Sequence, residues 1–394
     1  MAAASFDAYS LAQSGAAALR QGDARTARAS FERIIDAGQA DAASYLWLAH
    51  ACRRLGDAPA ALAALDKALS LEPRNFGALI LKADLMAELG DTRAAASFYQ
   101  FAVRVAPPVD EMPAALRDEL NRAKAMCERY AGEFGSFLVD RLARHGLGNG
   151  RSTARFRQSL DILLGRKQSY FQQPSIYFFP ELPQIQFYDR EDFPWLDEVE
   201  AATADIRAEL KAVAAEDARS FTPYVQRVPG RPRRDLAGLE DNPSWSAYYL
   251  WKDGEIVLDH AARCPKTLAA LAKAPQVWAR RRSPSVLFSQ LRPGAWIPPH
   301  TGLTNTRLIC HLPLIVPPGC AFRVGNETRV PVEGKAWVFD DTMEHEAWNR
   351  SDHARVILLF EIWRPELTEE ERALVGAMFE AIDAYSGEKP AWSI

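Results

Sequence analysis

The chain has 394 residues and a formal net charge of −4, and 48% of its residues are hydrophobic. These values predict a soluble globular protein of two or three domains, each with a sizeable core. Lysine and arginine alternate with acidic residues, so the sequence predicts neither nucleic acid nor an anionic membrane as a partner.

The N-terminal sequence MAAASFDAYSLAQSG has no basic region and no unbroken apolar core. No later segment reaches the roughly 18 consecutive apolar residues of a membrane span. We therefore expect a cytoplasmic protein without a membrane span. The five cysteines are scattered and include no CxxC pair, which argues against a disulfide framework and against a structural zinc site.

A short motif is repeated in the first third of the chain. Gly-Asp recurs at residues 22–23, 56–57 and 90–91, and this period of 34 residues is typical of tetratricopeptide helix hairpins. In the same register, each repeat carries a small residue and then a large one, namely Ala27, Ala61 and Ala95, then Phe31, Leu65 and Tyr99. Alanine allows two helices to approach closely, and the larger side chains fill the space between them. The sequence therefore predicts an α-helical tetratricopeptide solenoid over residues 1–110.

Tetratricopeptide arrays bury a core by stacking neighbouring repeats, and their concave face often holds a peptide or a partner protein. A peptide or protein substrate could be recruited in this way. The array could instead dock on the rest of the chain or dimerise. The sequence itself identifies neither a ligand nor an oligomeric state.

A helical capping or linker region is predicted for residues 111–173. Residues 112–145 have helical spacing, and the glycine-rich run GLGNGR at 146–151 then interrupts the pattern. This run lacks the strand-then-helix context of a phosphate-binding loop, which argues against a nucleotide site.

Residues 174–394 change from helical to strand-like periodicity. The segment begins rich in proline and aromatic residues, and one or two helices are predicted at 194–215 and 264–274. From 285 to 363, seven or eight short strands are separated by Pro, Gly, Asn and Asp turns, which is typical of a sandwich or barrel. The sequence TEEE then predicts a capping box that begins a last helix.

Three histidines of the strand region, His300, His311 and His345, could face one cavity, and Arg355 follows His345 by ten residues. A single histidine on a strand is usually a hydrogen-bonded core residue. Two histidines with a buried arginine instead provide imidazole ligands for iron and an anchor for a keto acid, as in the 2-His-1-carboxylate sites of iron(II) oxygenases. The acid expected after the first histidine is missing, because Gly302 stands two residues after His300.

Arg355 lies in the strand ARVILLFEIW, whose two faces are both mostly apolar. Its guanidinium is therefore expected to be buried, and a buried cation needs an anionic partner. That partner could be an internal acid such as Glu361 or Asp341, or the carboxylate of a bound ligand. The sequence alone leaves both possibilities open.

These residues lie in segments that closely resemble the aspartyl/asparaginyl β-hydroxylase family, from about residue 175 to 370. The resemblance is carried by FSQLRPGAWIPPHTGLTN, GKAWVFDDTMEHEAWN and ARVILLFEIWRPEL, and upstream by NPSWSAYYLWKDG. It implies a double-stranded β-helix (jelly-roll or cupin-like) with flanking helices, which binds Fe(II) and the cosubstrate 2-oxoglutarate and uses O2. Eukaryotic members also carry tetratricopeptide repeats before the catalytic domain. The expected fold class is therefore an α + β multidomain chain, with the helical solenoid followed by this oxygenase domain over 174–394.

The resemblance also implies roles for individual residues of this chain. His300 and His345 would be the metal ligands, and with Arg355 they form the catalytic set. Arg355, Ser289 and His311 would bind 2-oxoglutarate. Trp245 would lie on the substrate side, and Asp341 would orient water beside the metal. The family lacks the third protein ligand, has a glycine at the position of Gly302, and uses water to complete the metal shell.

The sequence departs from the family at Ile309. The resemblance implies that eukaryotic members have an arginine here, which pairs with the acidic side chain of the substrate. The missing cation weakens the prediction of an aspartyl substrate. Arg307, two residues away on the same strand face, is a candidate replacement for that substrate contact.

The sequence thus predicts an Fe(II)- and 2-oxoglutarate-dependent dioxygenase that hydroxylates an unactivated C–H bond, expected at the β-carbon of an Asp- or Asn-type side chain in a peptide or protein. The same chemistry could act on a free amino acid or a lipid-linked acyl group. Other interpretations are a halogenase, a metal-dependent cupin isomerase, and a non-catalytic repeat scaffold with a vestigial oxygenase domain. Retention of both histidines with Arg355 and Ser289 argues against the scaffold.

Overall fold

The computed structural model describes residues 7–148, 150, 153–227, 238–279 and 281–386. The chain forms two compact units, Met1–Leu164 and Gly165–Ile394. The predicted capping or linker region, residues 111–173, therefore contributes to both units. Part of the predicted glycine-rich break at 146–151 lies outside the described residues.

The first unit is helical. Its helices are, in chain order, α1 (Ala8–Arg20), α2 (Ala24–Asp36), α3 (Ala42–Arg54), α4 (Ala58–Leu71), α5 (Phe76–Glu88), α6 (Thr92–Val105), α7 (Ala114–Ala143) and α8 (Ala154–Leu163). Helix α1 packs on α2, α3 on α4, and α5 on α6, which gives one helix hairpin per repeat. The helical repeats predicted for the N-terminal region are confirmed.

The repeated Gly-Asp pair ends one helix and begins the next. The three glycines have φ values of +87°, +75° and +82°, a conformation that side chains disfavour. The aspartates cap α2, α4 and α6, because each accepts a hydrogen bond from the backbone amide three residues later. The alanines and larger residues that share the register are all buried, namely Ala27, Ala61, Ala95, Phe31, Leu65 and Tyr99.

The second unit combines two sheets with flanking helices. The helices are α9 (Leu196–Ala201), α10 (Thr203–Glu216), α11 (Leu258–Ala261), α12 (Pro265–Leu271) and α13 (Glu369–Ser386). The predicted capping box precedes α13, since the Thr368 amide donates to Glu371 Oε2 at 2.8 Å and the Glu371 amide donates to Thr368 Oγ1 at 3.2 Å. Within the described ranges, no helix is both long enough and apolar enough to cross a membrane.

The strands of this unit form two antiparallel sheets. They are β1 (Thr222–Pro223), β2 (Trp245–Lys252), β3 (Glu255–Ile256), β4 (Val286–Leu291), β5 (Trp296–His300), β6 (Arg307–Ile315), β7 (Cys320–Val324), β8 (Glu327–Arg329), β9 (Trp337–Phe339), β10 (His345–Asn349) and β11 (Arg355–Trp363). The large sheet has the order β1-β2-β4-β11-β6-β9, with β3 paired to β2, and the small sheet has the order β5-β10-β7-β8. From β4 onward the chain passes repeatedly from one sheet to the other.

The large sheet has an apolar core on each face. On β11, Leu358 and Phe360 pack in the cluster that includes residues of α9, α10 and α12. Ile357 and Leu359, on the opposite face, pack in the cluster that contains Phe322 of the small sheet. Burying each of these side chains stabilises the fold by about 1.5–3 kcal/mol. The candidate site lies on the face that meets the small sheet.

Candidate active site

A cavity of about 270 Å³ opens between the two sheets. Its lining includes all eight residues that the sequence singled out, namely Trp245, Ser289, His300, Arg307, His311, Asp341, His345 and Arg355. They come from strands β2, β4, β5, β6, β10 and β11 and from the turn before β10. The fold therefore brings together side chains that are up to 110 residues apart in the sequence.

His300 and His345 lie opposite each other on β5 and β10, with ring centroids 4.1 Å apart. His300 Nδ1 lies 2.7 Å from the Pro298 carbonyl oxygen, and His345 Nδ1 lies 3.0 Å from that of Met343. Because a carbonyl only accepts, each Nδ1 carries the proton and each Nε2 keeps its lone pair. Burial lowers the pKa of His300 to about 3 and that of His345 to about 4, so both rings are neutral. Two neutral imidazoles with free Nε2 atoms are suited to a transition metal.

Gly302 lies against the carboxylate of Asp341. A Cβ added at this glycine would be 2.1 Å from Asp341 Oδ2, and the Gly302 amide donates to the Asp341 carbonyl oxygen at 2.7 Å. Asp341 is 3% exposed, and its Oδ1 has no hydrogen-bond partner among the described residues. The carboxylate therefore occupies the space that a side chain after His300 would need. In the described part of the chain, no group of three or more His, Cys, Asp or Glu residues is arranged to hold a metal ion.

Arg355 is a buried cation at the start of β11. It is 2% exposed and forms no hydrogen bond or ion pair with any residue that the structure describes. Burial accordingly lowers its pKa to about 10. The two internal partners that the sequence left open, Glu361 and Asp341, contact Arg307 instead. The interpretation of Arg355 as half of an internal salt bridge to either acid is therefore wrong, and its guanidinium is available to an anion in the cavity.

Arg307 is held by two carboxylates. Its Nη1 forms an ion pair with Glu361 Oε1, and its Nη2 lies 3.3 Å from Asp341 Oδ2. Glu361 also accepts a hydrogen bond from the Ser285 amide at 3.1 Å. The charge of Arg307 is thus balanced inside the protein by Glu361, and its longer contact helps to orient the Asp341 carboxylate. The substrate contact suggested for Arg307 stays a prediction, and a substrate acid would have to compete with both carboxylates.

Three further side chains give the cavity polar and aromatic walls. Ser289 Oγ accepts a hydrogen bond from Trp245 Nε1 at 3.1 Å, which leaves its own proton free to donate. The Trp245 ring stacks on Tyr224 with centroids 4.0 Å apart and lies 6.1 Å from His300. His311 Nδ1 is buried without a hydrogen-bond partner among the described residues, and burial lowers its pKa well below the usual range.

Sequence reasoning missed several residues of the cavity wall. Tyr224 follows a two-residue strand, which is too short to leave a periodic signal. Phe322 and Phe339 enclose His311, at ring distances of 5.0 and 4.7 Å. The alternation of Phe322 with the polar Arg323 in CAFRV was the available signal for one of them, whereas WVF is apolar and buried throughout and gives no such signal for Phe339.

The second unit matches the family model for aspartyl/asparaginyl β-hydroxylase over residues 200–365, a range that includes all eight residues, and residues 42–85 match a tetratricopeptide repeat model. The human aspartyl/asparaginyl β-hydroxylase is 38% identical over 141 residues, which cover 36% of this chain and 18% of that protein. The ornithine lipid ester-linked acyl 2-hydroxylase of Rhizobium tropici is 35% identical over 190 residues, which cover 48% of this chain and 63% of that protein. The chain thus spans less than two thirds of either relative.

Among solved structures, the helical TPR2B domain of yeast Sti1 is similar to part of this chain, with 21% sequence identity and a TM-score of 0.28. The superposition covers 31% of this chain and 96% of the Sti1 chain. The family model matches the unit that carries the cavity, and the repeat model matches the helical unit. Residues 200–365 therefore resemble the aspartyl/asparaginyl β-hydroxylase family, and a region that matches a tetratricopeptide repeat model precedes them.

Proposed function

We propose that this protein is an Fe(II)- and 2-oxoglutarate-dependent dioxygenase that hydroxylates an unactivated C–H bond. The observation that carries the proposal is Arg355, a buried guanidinium without a protein partner among the described residues, in the same cavity as the neutral His300 and His345. A carboxylate of 2-oxoglutarate would supply the missing anion. The strand order β4-β11-β6-β9 opposite β5-β10-β7-β8 supports a double-stranded β-helix of the jelly-roll or cupin-like type.

The donors in the cavity fit both groups. Nε2 of His300 and Nε2 of His345 would hold the iron, and Arg355 with Ser289 would hold the distal carboxylate of 2-oxoglutarate. His311, whose buried Nδ1 lacks a partner in the described chain, would contact the cosubstrate elsewhere. When bound, iron and 2-oxoglutarate activate O2, with succinate and CO2 as products and hydroxylation of the substrate carbon as the outcome.

The remaining residues of the site orient water and exclude solvent. Asp341 lines the cavity, its buried Oδ1 has no partner among the described residues, and the carboxylate would accept a hydrogen bond from water beside the two histidines. Arg307 and Glu361 keep that carboxylate in place. The stacked rings of Trp245 and Tyr224 form a rigid wall 6.1 Å from His300, which would position a substrate carbon and keep bulk water away.

The proposed substrate is the β-carbon of an Asp- or Asn-type side chain in a peptide or protein, recruited by the repeat array. The family match supports this choice. A second candidate is a lipid-linked acyl group, which the Rhizobium tropici relative supports by its name. Ile309 favours this alternative, because it places an aliphatic side chain in the cavity where a cation was expected. A free amino acid is a third possibility for the same chemistry.

The central experiment measures succinate formation from 2-oxoglutarate with Fe(II) and ascorbate. The wild-type protein should form succinate above background, and Arg355→Met should raise the KM for 2-oxoglutarate about 10- to 100-fold, because a charge-assisted hydrogen bond contributes about 1.5–3 kcal/mol. The same variant should melt at a higher temperature in the absence of 2-oxoglutarate, since an unpaired buried charge is removed. No succinate from the wild-type protein, with or without substrate, would reject the proposal.

The substrate can be identified independently of turnover. The anaerobic protein, loaded with Fe(II) and an inert 2-oxoglutarate analogue, should retain its substrate from a cell extract. Mass spectrometry of the retained fraction would then distinguish a polypeptide from an acylated lipid or an amino acid.

A further inference from the structure

Arg364 is a fully buried arginine that follows directly after β11, outside the cavity. All five of its N–H donors are used. Nε and Nη2 donate to the Tyr188 hydroxyl at 2.9 and 2.7 Å, and Nη2 also donates to the Pro183 carbonyl oxygen at 2.8 Å. Nη1 donates to Asp340 Oδ2 and to the Asn305 carbonyl oxygen, both at 3.0 Å. The guanidinium thus joins three separate segments of the chain.

Asp340, its ion-pair partner, is equally buried and fixes the turn that precedes β10. Its Oδ1 accepts hydrogen bonds from the amide and the hydroxyl of Thr342, at 3.0 and 2.6 Å. Its Oδ2 also accepts one from Gln172 Nε2 at 2.6 Å. Four hydrogen bonds to one carboxylate leave the turn from Asp340 to Met343 little freedom.

This turn carries the atoms that shape the candidate site. The Met343 carbonyl oxygen holds His345 Nδ1, and the Asp341 carbonyl oxygen accepts from the Gly302 amide. The Asp341 side chain fills the space next to Gly302. A displacement of the turn would therefore move one histidine ring and the carboxylate together.

Residues 301–306, which follow His300, are held by the same arginine. The Asn305 carbonyl oxygen accepts from Arg364, and the Asn305 side-chain amide donates to Gln172 and to the Phe179 carbonyl oxygen, both at 2.8 Å. Gln172 in turn donates to Asp340. One closed hydrogen-bond network thus connects the segment after one histidine with the turn before the other.

We propose that the Arg364–Asp340 ion pair is a positioning element of the candidate site. It holds residues 301–306 and the Asp340–Met343 turn in the arrangement in which His300, His345 and the Asp341 carboxylate face one another. A lysine at position 364 cannot replace it, because one ammonium group cannot reach acceptors that require a planar fork of five donors. The inference rests on the proposed function only for its metal-binding readout.

The first test needs no metal. Hydrogen exchange of the metal-free protein would be compared for wild type and Arg364→Lys at the amides of Gly302 and Gln173, which both donate to the turn. We expect exchange about tenfold faster or more in the variant, since a charge-assisted network that anchors both segments is lost. Arg282→Lys is the matched control, because Arg282 forms a buried ion pair with Asp383 in the same unit. This control should leave the exchange rates of both amides unchanged.

The second test is anaerobic titration with Fe(II) in the presence of 2-oxoglutarate. Arg364→Lys should weaken Fe(II) affinity about 10- to 100-fold, as is usual when an outer contact of a metal ligand is lost, whereas Arg282→Lys should not. Asp340→Asn keeps the shape of the side chain, and it should likewise speed amide exchange and weaken Fe(II) affinity. This variant replaces Arg364→Lys in both tests if Arg364→Lys does not fold.

Equal effects of Arg364→Lys and Arg282→Lys would overturn the inference, because Arg364 would then only stabilise the unit. The inference would also be overturned if Arg364→Lys had the same amide exchange rates and the same Fe(II) affinity as the wild-type protein. If the wild-type protein itself binds no Fe(II), the proposed function fails, while the exchange comparison still decides whether Arg364 positions the two segments.

Discussion

Gly302 and Asp341 form a pair in which each residue requires the other. The glycine has no unusual φ, so its small size, and not backbone conformation, is what the site needs. A Cβ would overlap the Asp341 carboxylate, whose position is fixed by Arg307 and by the turn at Asp340. The acid near the two histidines is thus supplied by the turn before His345, not by the residue after His300.

Gly302→Ala tests this pairing. The added methyl group must displace Asp341, so we expect succinate formation to fall about tenfold or more and the free energy of unfolding to fall by about 1–3 kcal/mol through overpacking. Gly302→Asp adds a second negative charge at the same place and should reduce turnover further while the fold remains intact. Activity and thermal unfolding of purified variants measure both effects.

Gly132→Ala is the matched control for this prediction, because a Cβ at this helical glycine meets nothing within 4 Å. It should leave turnover unchanged and raise the free energy of unfolding by about 0.5–1 kcal/mol. If Gly302→Ala is as active and as stable as wild type, the close approach of Asp341 has no role.

The residues of the site could be predicted from the sequence, but most of their contacts could not. The sequence pointed to the cations Arg355 and Arg307 and to the acids Glu361 and Asp341, without indicating which cation pairs with which acid. Strand geometry does exclude an ion pair between Arg355 and Glu361. The two lie six residues apart on one strand, and this length of extended chain spans roughly 20 Å. The pairing of Asp341 with Arg307 depends on the path of a turn, which no periodic pattern encodes.

At the scale of elements, local signals were predictive and non-local pairings were not. The helix hairpins could be predicted because each repeat contains its own signals for a helix end and a helix start. Gly56, for example, ends one helix, and Asp57 caps the next. The strands follow from alternation. Their order in the sheets was not predictable, since β4 pairs with β11 across more than sixty residues, and such pairing depends on the whole core.

Asp91→Ala tests the cap that the repeat motif predicts. Asp91 accepts a hydrogen bond from the Ala94 amide at 2.9 Å and forms no ion pair with any residue that the structure describes, so the effect of its removal should be that of a lost cap alone. We expect the free energy of unfolding of the helical unit to fall by about 1 kcal/mol. Urea unfolding followed by circular dichroism measures it. The exposed Asp110, which caps no helix, provides the control Asp110→Ala, and an equal loss there would show that the cap is not the cause.

At the scale of the whole molecule, the two units have separate cores. Apolar clusters around Phe31, Leu65 and Tyr99 lie within the helical unit, and those around Phe288 and Phe322 lie within the sheet unit. Each unit therefore has a hydrophobic core of its own. This separation makes it possible to ask whether the repeats recruit the substrate or serve another purpose.

If the array recruits a polypeptide, the tether raises the local substrate concentration at the catalytic unit to about the millimolar range. Residues 1–164 added in excess should then bind the polypeptide, remove that advantage and slow its hydroxylation. They should not affect succinate formation without substrate, nor hydroxylation of a short peptide that contains only the reacting residue. Mass spectrometry of the product and succinate measurement separate these effects. Unchanged hydroxylation of the full polypeptide at saturating array would contradict recruitment, and it would leave a small or lipid-linked substrate, reached by the cavity alone, as the better interpretation.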